Sequence, residues 1–382
     1  MKLIHLSDLH IGKRWNDFSM IEDQAYILEQ ILQIIDEEKP TAVMLSGDIY
    51  DRSVPSNEAV ELFDDFIVKL SRRNLEVFVI SGNHDSAERI AFGSRIMDGV
   101  GIHFSPVYNG QVVPTVLTDE YGSVNIYMLP FVKPSTVRRF FPDSDITSYE
   151  SAVKTAISEF KVDTSVRNVL ITHQFITGAS RSDSEDISVG GTDNIDVKVF
   201  DDFDYVALGH IHGPQNIGSP RVRYCGTPLK YSLSEKDHQK SVTVVELGEK
   251  SQLNVRTVPL VPLHNVAEIR GTFEQIFDRS FYENTTLCED YVCIVLTDED
   301  DVVDAHAKLR KIYKRIVSLE YDNARTRSQV DIDGALGVEA KSPFELCAEL
   351  FELQNGSPMT NEQERFLQLL IERIWGNEDE TY

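Results

Sequence analysis

Val77-Phe78-Val79-Ile80-Ser81-Gly82-Asn83-His84-Asp85 is an apolar run of strand length that stops at a glycine and then delivers an amide, an imidazole and a carboxylate. β-Branched and aromatic residues bounded by Ser-Gly-Asn read as a buried strand entering a turn. Polar side chains at the end of a buried strand are costly unless something binds them. The construction recurs four times. Leu3-Ile4-His5-Leu6-Ser7 ends in Asp8-Leu9-His10, and the run 42–46 ends in Gly47-Asp48-Ile49-Tyr50-Asp51. The run 169–172 ends in His173, and the run 205–208 ends in Gly209-His210-Ile211-His212. The strands thus aim clusters of Asp, Asn and His at one place.

A chain of 382 residues holds one large domain with a smaller one, or two domains. It is 41% hydrophobic and 26% charged, ordinary for a globular protein with a sizeable core. No apolar run reaches the roughly 18 residues that a membrane span needs. The start, Met1-Lys2-Leu3-Ile4-His5, reaches Asp8 too early for a signal peptide and reads as a strand already inside the fold. Cys225, Cys288, Cys293 and Cys347 form no C-x-x-C pair. That usage suits a reducing cytosol, and a cytoplasmic protein is expected rather than a disulfide framework or a zinc ribbon. With 37 basic and 62 acidic residues the net charge is −25, which repels a polyanion unless metal ions or a partner reverse the field locally.

Along 1–260 the patterning alternates β and α. Ile27, Leu28, Ile31, Ile34 and Ile35 make one helical stripe over 21–38, stopped by Pro40. A second helix is expected over 57–73, with Val60, Phe63, Ile67 and Leu70 on one face. Further strands are expected at 102–104, 111–116, 124–129, 221–225, 241–247 and 253–258, and a helix at 148–160. Interleaved helices with buried and alternating strands imply two packed sheets with helices outside, an α/β sandwich. Two prolines in Val258-Pro259-Leu260-Val261-Pro262 mark a boundary. A small α/β module follows over 261–327, with strands at 265–270, 291–296 and 320–325 and helices at 272–279 and 303–318. The last helix carries Lys308, Arg310, Lys311, Lys314 and Arg315, the densest basic patch in the chain. Such a run is a solvated face or a phosphate contact. Residues 328–382 read as a polar linker at 328–342 and two helices. The second helix opens on a Thr360/Gln363 capping box and carries a wide stripe of Leu367, Leu370, Ile371 and Ile374 beside Trp375. That stripe either folds back on the large domain or docks on another protein.

Imidazole, carboxylate and carboxamide ligands suit first-row divalent ions such as Mn²⁺, Fe²⁺ or Zn²⁺. Asp8, His10, Asp48, Asn83, His173, His210 and His212 are too many for one ion. Two ions sharing one carboxylate resolve this, with Asp48 as the natural bridge. Such a pair activates water and neutralises charge on a phosphoryl oxygen. His84, one residue past Asn83, suits a general acid or a transition-state contact. His5, His103, His238, His264 and His306 read as ordinary structural histidines.

The series D-L-H, G-D-I-Y-D, G-N-H-D, T-H and G-H-I-H resembles the calcineurin-like metallophosphoesterase superfamily. The opening H-L-S-D-L-H-I-G-K, the phrase G-D-I-Y-D-R-S-V-P-S, the block C-G-T-P-L-K-Y-S at 225–232 and V-P-L-V-P-L narrow the likeness to bacterial DNA-nuclease subunits that work with an SMC-like ATPase. The resemblance implies that Asp8, His10, Asp48 and His212 hold one ion. Asp48, Asn83, His173 and His210 would hold the other, normally Mn²⁺, and His84 would be the catalytic histidine. Archaeal and eukaryotic relatives carry a histidine where this chain has Asp51, so Asp51 is expected to orient His84 or a metal ligand. The resemblance also implies a DNA-contacting cap at about 264–327 and C-terminal helices that grip the ATPase coiled coil, with a homodimer inside a heterotetramer. The expected activity is exonuclease action on duplex ends and endonuclease action on hairpins or single strands. The alternative is a phosphatase or small-phosphodiester hydrolase with the same dinuclear site. The basic module and apolar tail count against it, since a small substrate needs neither. A noncatalytic scaffold is disfavoured because the ligand set is complete.

Overall fold

The computed structural model describes residues 1–185, 194–324, 326, 343–355 and 358–375. The linker expected at 328–342 lies outside the described residues. Two compact units are present. The first takes in Met1–Glu185, Asn194–Ala267 and Glu289–Tyr291.

Strands are numbered along the chain. One sheet of the first unit holds β1 (Lys2–Leu6), β4 (Ala42–Ser46), β5 (Glu76–Ile80), β6 (Ile102–Phe104), β13 (Ser241–Leu247) and β14 (Leu253–Pro259), in the order β14-β13-β1-β4-β5-β6. The other holds β7 (Thr115–Asp119), β8 (Gly122–Leu129), β9 (Arg167–His173), β10 (Tyr205–Gly209), β11 (Gln215–Ile217) and β12 (Ser219–Tyr224), in the order β11-β12-β10-β9-β8-β7. A small hairpin pairs β2 (Arg14–Trp15) with β3 (Phe18–Ser19).

The five apolar runs are the central parallel strands: β1, β4 and β5 pair in parallel in one sheet, and β9 and β10 in the other. Leu3, Ala42, Met44, Phe78 and Ile80 pack with Val124, Ile126, Val169, Ile171, Tyr205 and Ala207 between the sheets. Their sequence neighbours Ile4, Val43, Leu45, Val77 and Val79 are equally buried and point to the opposite face, the period-two signature of strands covered on both sides. His5 joins the layers, its ring nitrogens 2.9 Å from the Tyr205 hydroxyl and 3.1 Å from the Leu208 carbonyl. Burial pushes its pKa down to about 3, so it is a neutral structural histidine.

The crossover helices Ile21–Glu38 and Asn57–Ser71 form where their stripes lie. In the second, Ala59 and Phe66 join Phe63, Ile67 and Leu70 inside while Val60 is exposed, so the buried face is rotated from the expected one. The helix Tyr149–Ser158 is capped by Ser148 and packs Ala152, Val153, Ala156 and Ile157 against Tyr127, Leu170, Val206 and Leu208. The strand expected at 111–116 runs instead over β7, because Pro114 lacks the N–H that a ladder needs.

The second unit takes in Glu268–Cys288 and the described residues from Val292 onward. Strands β15 (Val266–Gly271), β16 (Tyr291–Leu296) and β17 (Arg315–Tyr321) form a sheet in that order. The basic helix expected at 303–318 is absent. A short helix, Ala305–Leu309, is followed by β17, which displaces the strand expected at 320–325. Apolar residues 309, 312, 313 and 316 satisfy a helical period, but pairing to β16 prevails over that local pattern. Lys308 and Arg315 are therefore not on one helix face. The helices Pro343–Asn355 and Asn361–Trp375 are present, and Gln363 accepts from the Thr360 N–H at 2.9 Å as the capping box requires. In the second helix Ile371 is buried while Phe366, Leu369 and Leu370 are exposed. The side chains of Ile374 and Trp375 lie outside the described residues. Among the described residues no helix is long and apolar enough to cross a membrane.

Candidate metal centre

The C-terminal ends of β1, β4, β5, β9 and β10 meet at one place in the first unit. The loop after β1 runs beside the loop after β4, with the N–H groups of Asp8, His10 and Ile11 donating to the carbonyls of Gly47, Asp48 and Ile49 at 3.0, 3.0 and 2.9 Å. The Asp85 carboxylate ties this pair to the third loop by accepting from Ile49, Tyr50 and Gly82 N–H at 3.0, 2.9 and 2.9 Å. Asp8, His10, Asp48 and His210 have φ of 53°, 44°, 49° and 102°. Non-glycine residues in that region each cost on the order of 1–3 kcal/mol, a strain that clusters at functional sites. Glycines make the approach possible. A Cβ on Gly209 would lie 2.0 Å from the Ser46 carbonyl oxygen, and one on Gly47 2.5 Å from His173 Nδ1.

All seven expected ligands come together here, around Asp48. Its Oδ2 lies 3.3 Å from His173 Nε2, 3.7 Å from His10 Nε2 and 4.0 Å from His84 Nε2. On one side His10 Nε2 and His212 Nε2 face each other at 3.2 Å, with Asp8 in the same group. On the other, Asn83 Oδ1 sits 2.9 Å from His173 Nε2 and 2.8 Å from His210 Nδ1. His173 Nδ1 is 2.8 Å from the Ser46 carbonyl, which holds a proton there, so Nε2 is the nitrogen that the neutral ring would offer to a metal. Three overlapping groups have their ligand atoms within 4.8 Å of one another: Asp8/His10/His212, His10/Asp48/His84 and Asp8/Asp48/His173.

His84 is the more exposed member. Its N–H donates to Asp48 Oδ1 at 2.9 Å, and its ring Nδ1 meets the Asp51 carbonyl at 3.1 Å. The Asp51 carboxylate turns instead to Lys13 Nζ at 2.9 Å, with His10 Nδ1 at 3.8 Å.

The charges are poised for cations. Burial works against the Asp48 carboxylate, yet the imidazoles of His173, His84 and His10 outweigh it and hold Asp48 well below the usual carboxylate range. Burial, assisted by the Asp48 charge, pushes Asp8 up to about 6 against the pull of His173. Burial drives His10 and His210 well below the imidazole range, so both are neutral, the form that ligates. His173 goes the other way, to about 9, because the Asp48 charge overcomes burial. His173 is thus the counterion of Asp48 where no metal is bound. The donor set fits a divalent first-row ion, because buried imidazole nitrogens converge with carboxylate and carboxamide oxygens.

Sequence reasoning missed the shell behind His212. Ser184 Oγ, Glu185, Glu235 and Lys240 surround it, drawn from two segments distant in sequence, 184–185 and 235–240. Tyr231, its hydroxyl donating to the Leu9 carbonyl at 2.6 Å, sets its ring edge-on to His10 at 5.7 Å. The block 225–232 contains Tyr231, but no local signal assigns it a place.

Two six-stranded sheets carrying this cluster at their strand ends define a metal-dependent phosphoesterase, and residues 1–214 match the family model described as calcineurin-like phosphoesterase. Residues 262–355 match a second model, described as type 5 capsule protein repressor C-terminal domain. The SbcD chain of the nuclease SbcCD from Staphylococcus epidermidis is 33% identical over 340 residues, covering 87% of this chain and 89% of that protein. The chain belongs to the SbcD family of nuclease subunits within the calcineurin-like phosphoesterases. Among solved structures, a crystal structure of a dimetal phosphatase from Danio rerio matches 68% of this chain and 96% of its own at 10% identity, with a TM-score of 0.38.

Proposed function

We propose that the chain is the Mn²⁺-dependent DNA nuclease subunit of a complex with an SbcC-like SMC ATPase. It would act exonucleolytically on duplex ends and endonucleolytically on hairpins or single strands, in DNA repair and recombination. The observation that carries this reading is the gathering of Asp8, His10, Asp48, Asn83, His173, His210 and His212 around one carboxylate in a chain of this family. Asp8, His10, Asp48 and His212 would hold one ion, and Asp48, Asn83, His173 and His210 would hold the other. When bound, the ions supply Lewis acidity to the phosphoryl group and a nucleophile at neutral pH.

The chain's own groups do the rest. Asp48 spaces the two ligand sets. With its Nδ1 proton on the Asp51 carbonyl, His84 presents Nε2 to the open side of the site, 4.0 Å from Asp48 Oδ2. In the imidazolium form, with a proton on each ring nitrogen, Nε2–H would donate to a phosphoryl oxygen or give its proton to the leaving oxygen and return to the neutral ring. Asp51 positions His84 through its main chain, and with Lys13 it flanks His10.

The domains we assign are a nuclease domain over 1–260, a DNA-contacting cap over 261–327 and ATPase-binding helices within 328–382. A groove of about 560 Å³ lined by Phe351, Met359, Phe366, Leu367 and Leu370 supports ATPase docking on the last part. Exposed Arg310, Lys311 and Lys314 supply positive charge on the cap despite the missing helix. Phe92, Ile96 and Val100, exposed by 87, 82 and 60%, support a homodimer that covers them. The test is cleavage of a plasmid and a hairpin oligonucleotide beside hydrolysis of bis-p-nitrophenyl phosphate, each with Mn²⁺ and the ATPase. Activity on the small ester alone, with no DNA cleaved, would favour a small-phosphodiester hydrolase.

A further inference from the structure

His212 is held at three points by groups that no strand-end motif contains. Its N–H donates to Glu185 Oε1 at 2.6 Å, its carbonyl accepts from Lys240 Nζ at 2.9 Å, and its ring Nδ1 lies 2.6 Å from Ser184 Oγ. Ser184 Oγ donates its own proton to Glu235 Oε1 at 2.5 Å, so toward the imidazole it can only accept. The proton of His212 is therefore on Nδ1, and Nε2 faces His10 Nε2 at 3.2 Å as a bare lone pair.

Glu235 is the end of the chain of contacts. It is fully buried, and its Oε2 is 2.5 Å from Lys240 Nζ, itself 4% exposed. Thr227 Oγ1 accepts from Lys240 at 2.6 Å, while the Tyr231 N–H and the Ser232 hydroxyl donate to Glu235 Oε1, each at 3.2 Å. A buried ion pair is weak support for stability, since apolar residues of similar volume often serve as well. Here both ends of the pair converge on one imidazole, Lys240 on its main chain and Glu235 on its ring through Ser184. Among the described residues, His173 has the Ser46 carbonyl behind it, His210 turns Nδ1 toward Asn83, and His10 Nδ1 lies 3.8 Å from the Asp51 carboxylate, beyond hydrogen-bond distance.

We propose that Glu235 is a positioning residue for the metal centre, which fixes the tautomer and direction of His212 through the Ser184 hydroxyl, with Lys240 as its buried counterion. A carboxylate behind a ligating imidazole raises ligand basicity, and losing such a partner costs about 10–100-fold in metal affinity. The inference rests on His212 being a ligand, as proposed above.

The experiment is titration of the full-length chain with Mn²⁺ alone, followed by electron paramagnetic resonance of the free ion and by calorimetry. Ser184→Ala removes the bridge and leaves the ion pair whole, so the fold is not at stake. It should weaken one of two Mn²⁺ sites by about 10–100-fold. Ser184→Thr, which keeps the hydroxyl, should restore wild-type affinity. Glu235→Gln should weaken the same site, with turnover recovering as Mn²⁺ is raised. His212→Ala is the reference. If it weakens one site while Ser184→Ala and Glu235→Gln bind as wild type, the pair is merely structural and the proposal is overturned. If His212→Ala also binds both ions normally, the ligand assignment fails and the proposal falls with it.

Discussion

Gly82→Ala is the smallest change that should disable the centre without touching a ligand. Gly82 is not in the left-handed region, so the case against a side chain here is space alone. A Cβ would lie 2.1 Å from Asp48 Oδ1, 2.5 Å from Asp48 N and 2.7 Å from Asp48 Cγ. To reach even 3.0 Å, the limit below which Cβ contacts essentially never fall, the carboxylate oxygen must retreat by about 0.9 Å and the main chain by about 0.5 Å. That movement also strains the 2.9 Å bond from the His84 N–H to Asp48 Oδ1. A displacement of about 1 Å in a catalytic group costs about 10²-fold in rate, and overpacking costs about 1–3 kcal/mol in stability. We expect kcat/KM on bis-p-nitrophenyl phosphate to fall by about 10²-fold or more, Mn²⁺ affinity to weaken, and Tm to drop by several degrees. Gly99→Ala is the control, since a Cβ there meets nothing within 4 Å and its φ is not left-handed. Wild-type turnover, Mn²⁺ affinity and Tm in Gly82→Ala would show that Asp48 has room to move, and the shared-carboxylate geometry would lose its basis.

Asp48→Ala should lower occupancy at both metal positions and abolish hydrolysis; two ions bound to an active variant, by elemental analysis, would exclude Asp48 as the shared ligand. His84→Gln should keep both ions and lose about 10²–10⁴-fold in turnover, the usual contribution of a general acid or base. Loss of metal in that variant would make His84 a ligand, as its grouping with His10 and Asp48 permits. Deleting 343–382 should abolish association with the ATPase in a pull-down and leave Mn²⁺-dependent hydrolysis of a small phosphodiester intact, because every proposed ligand lies at or before His212. A truncated chain that still bound the ATPase would move the docking surface elsewhere.

What the sequence made legible follows from the physics of buried strands. Val77 to Ile80 is apolar at every position because β5 has a neighbour on each side and is buried on both faces, so the run and its polar end are equally visible. The same holds for β1, β4, β9 and β10, which is why the candidate ligands can be read from strand ends alone. In the second unit the pattern misled. Tyr313 and Ile316 are buried, as a helix from 303 would have them, but Tyr313 donates its hydroxyl to the Ile276 carbonyl at 2.8 Å and the chain then runs extended into β17. The segment is too short for its helical period to be distinguished from pairing with β16.

The shell around His212 was illegible for a different reason. Ser184, Glu235 and Lys240 follow no period, and each alone reads as a surface residue of a polar loop. Glu235 and Lys240 are buried, and they come to the half-buried Ser184 and to His212 only in the fold, through contacts no local pattern announces. Left-handed φ at Asp8, His10, Asp48 and His210 is likewise absent from any hydropathy pattern. It shows in residue type only because Asp, Asn and His tolerate that region better than β-branched residues do. Ligand chemistry and backbone tolerance therefore select overlapping residues at the strand ends. A D-x-H or G-D motif is accordingly informative about a metal only when several of them end buried strands in one chain, as five segments do here.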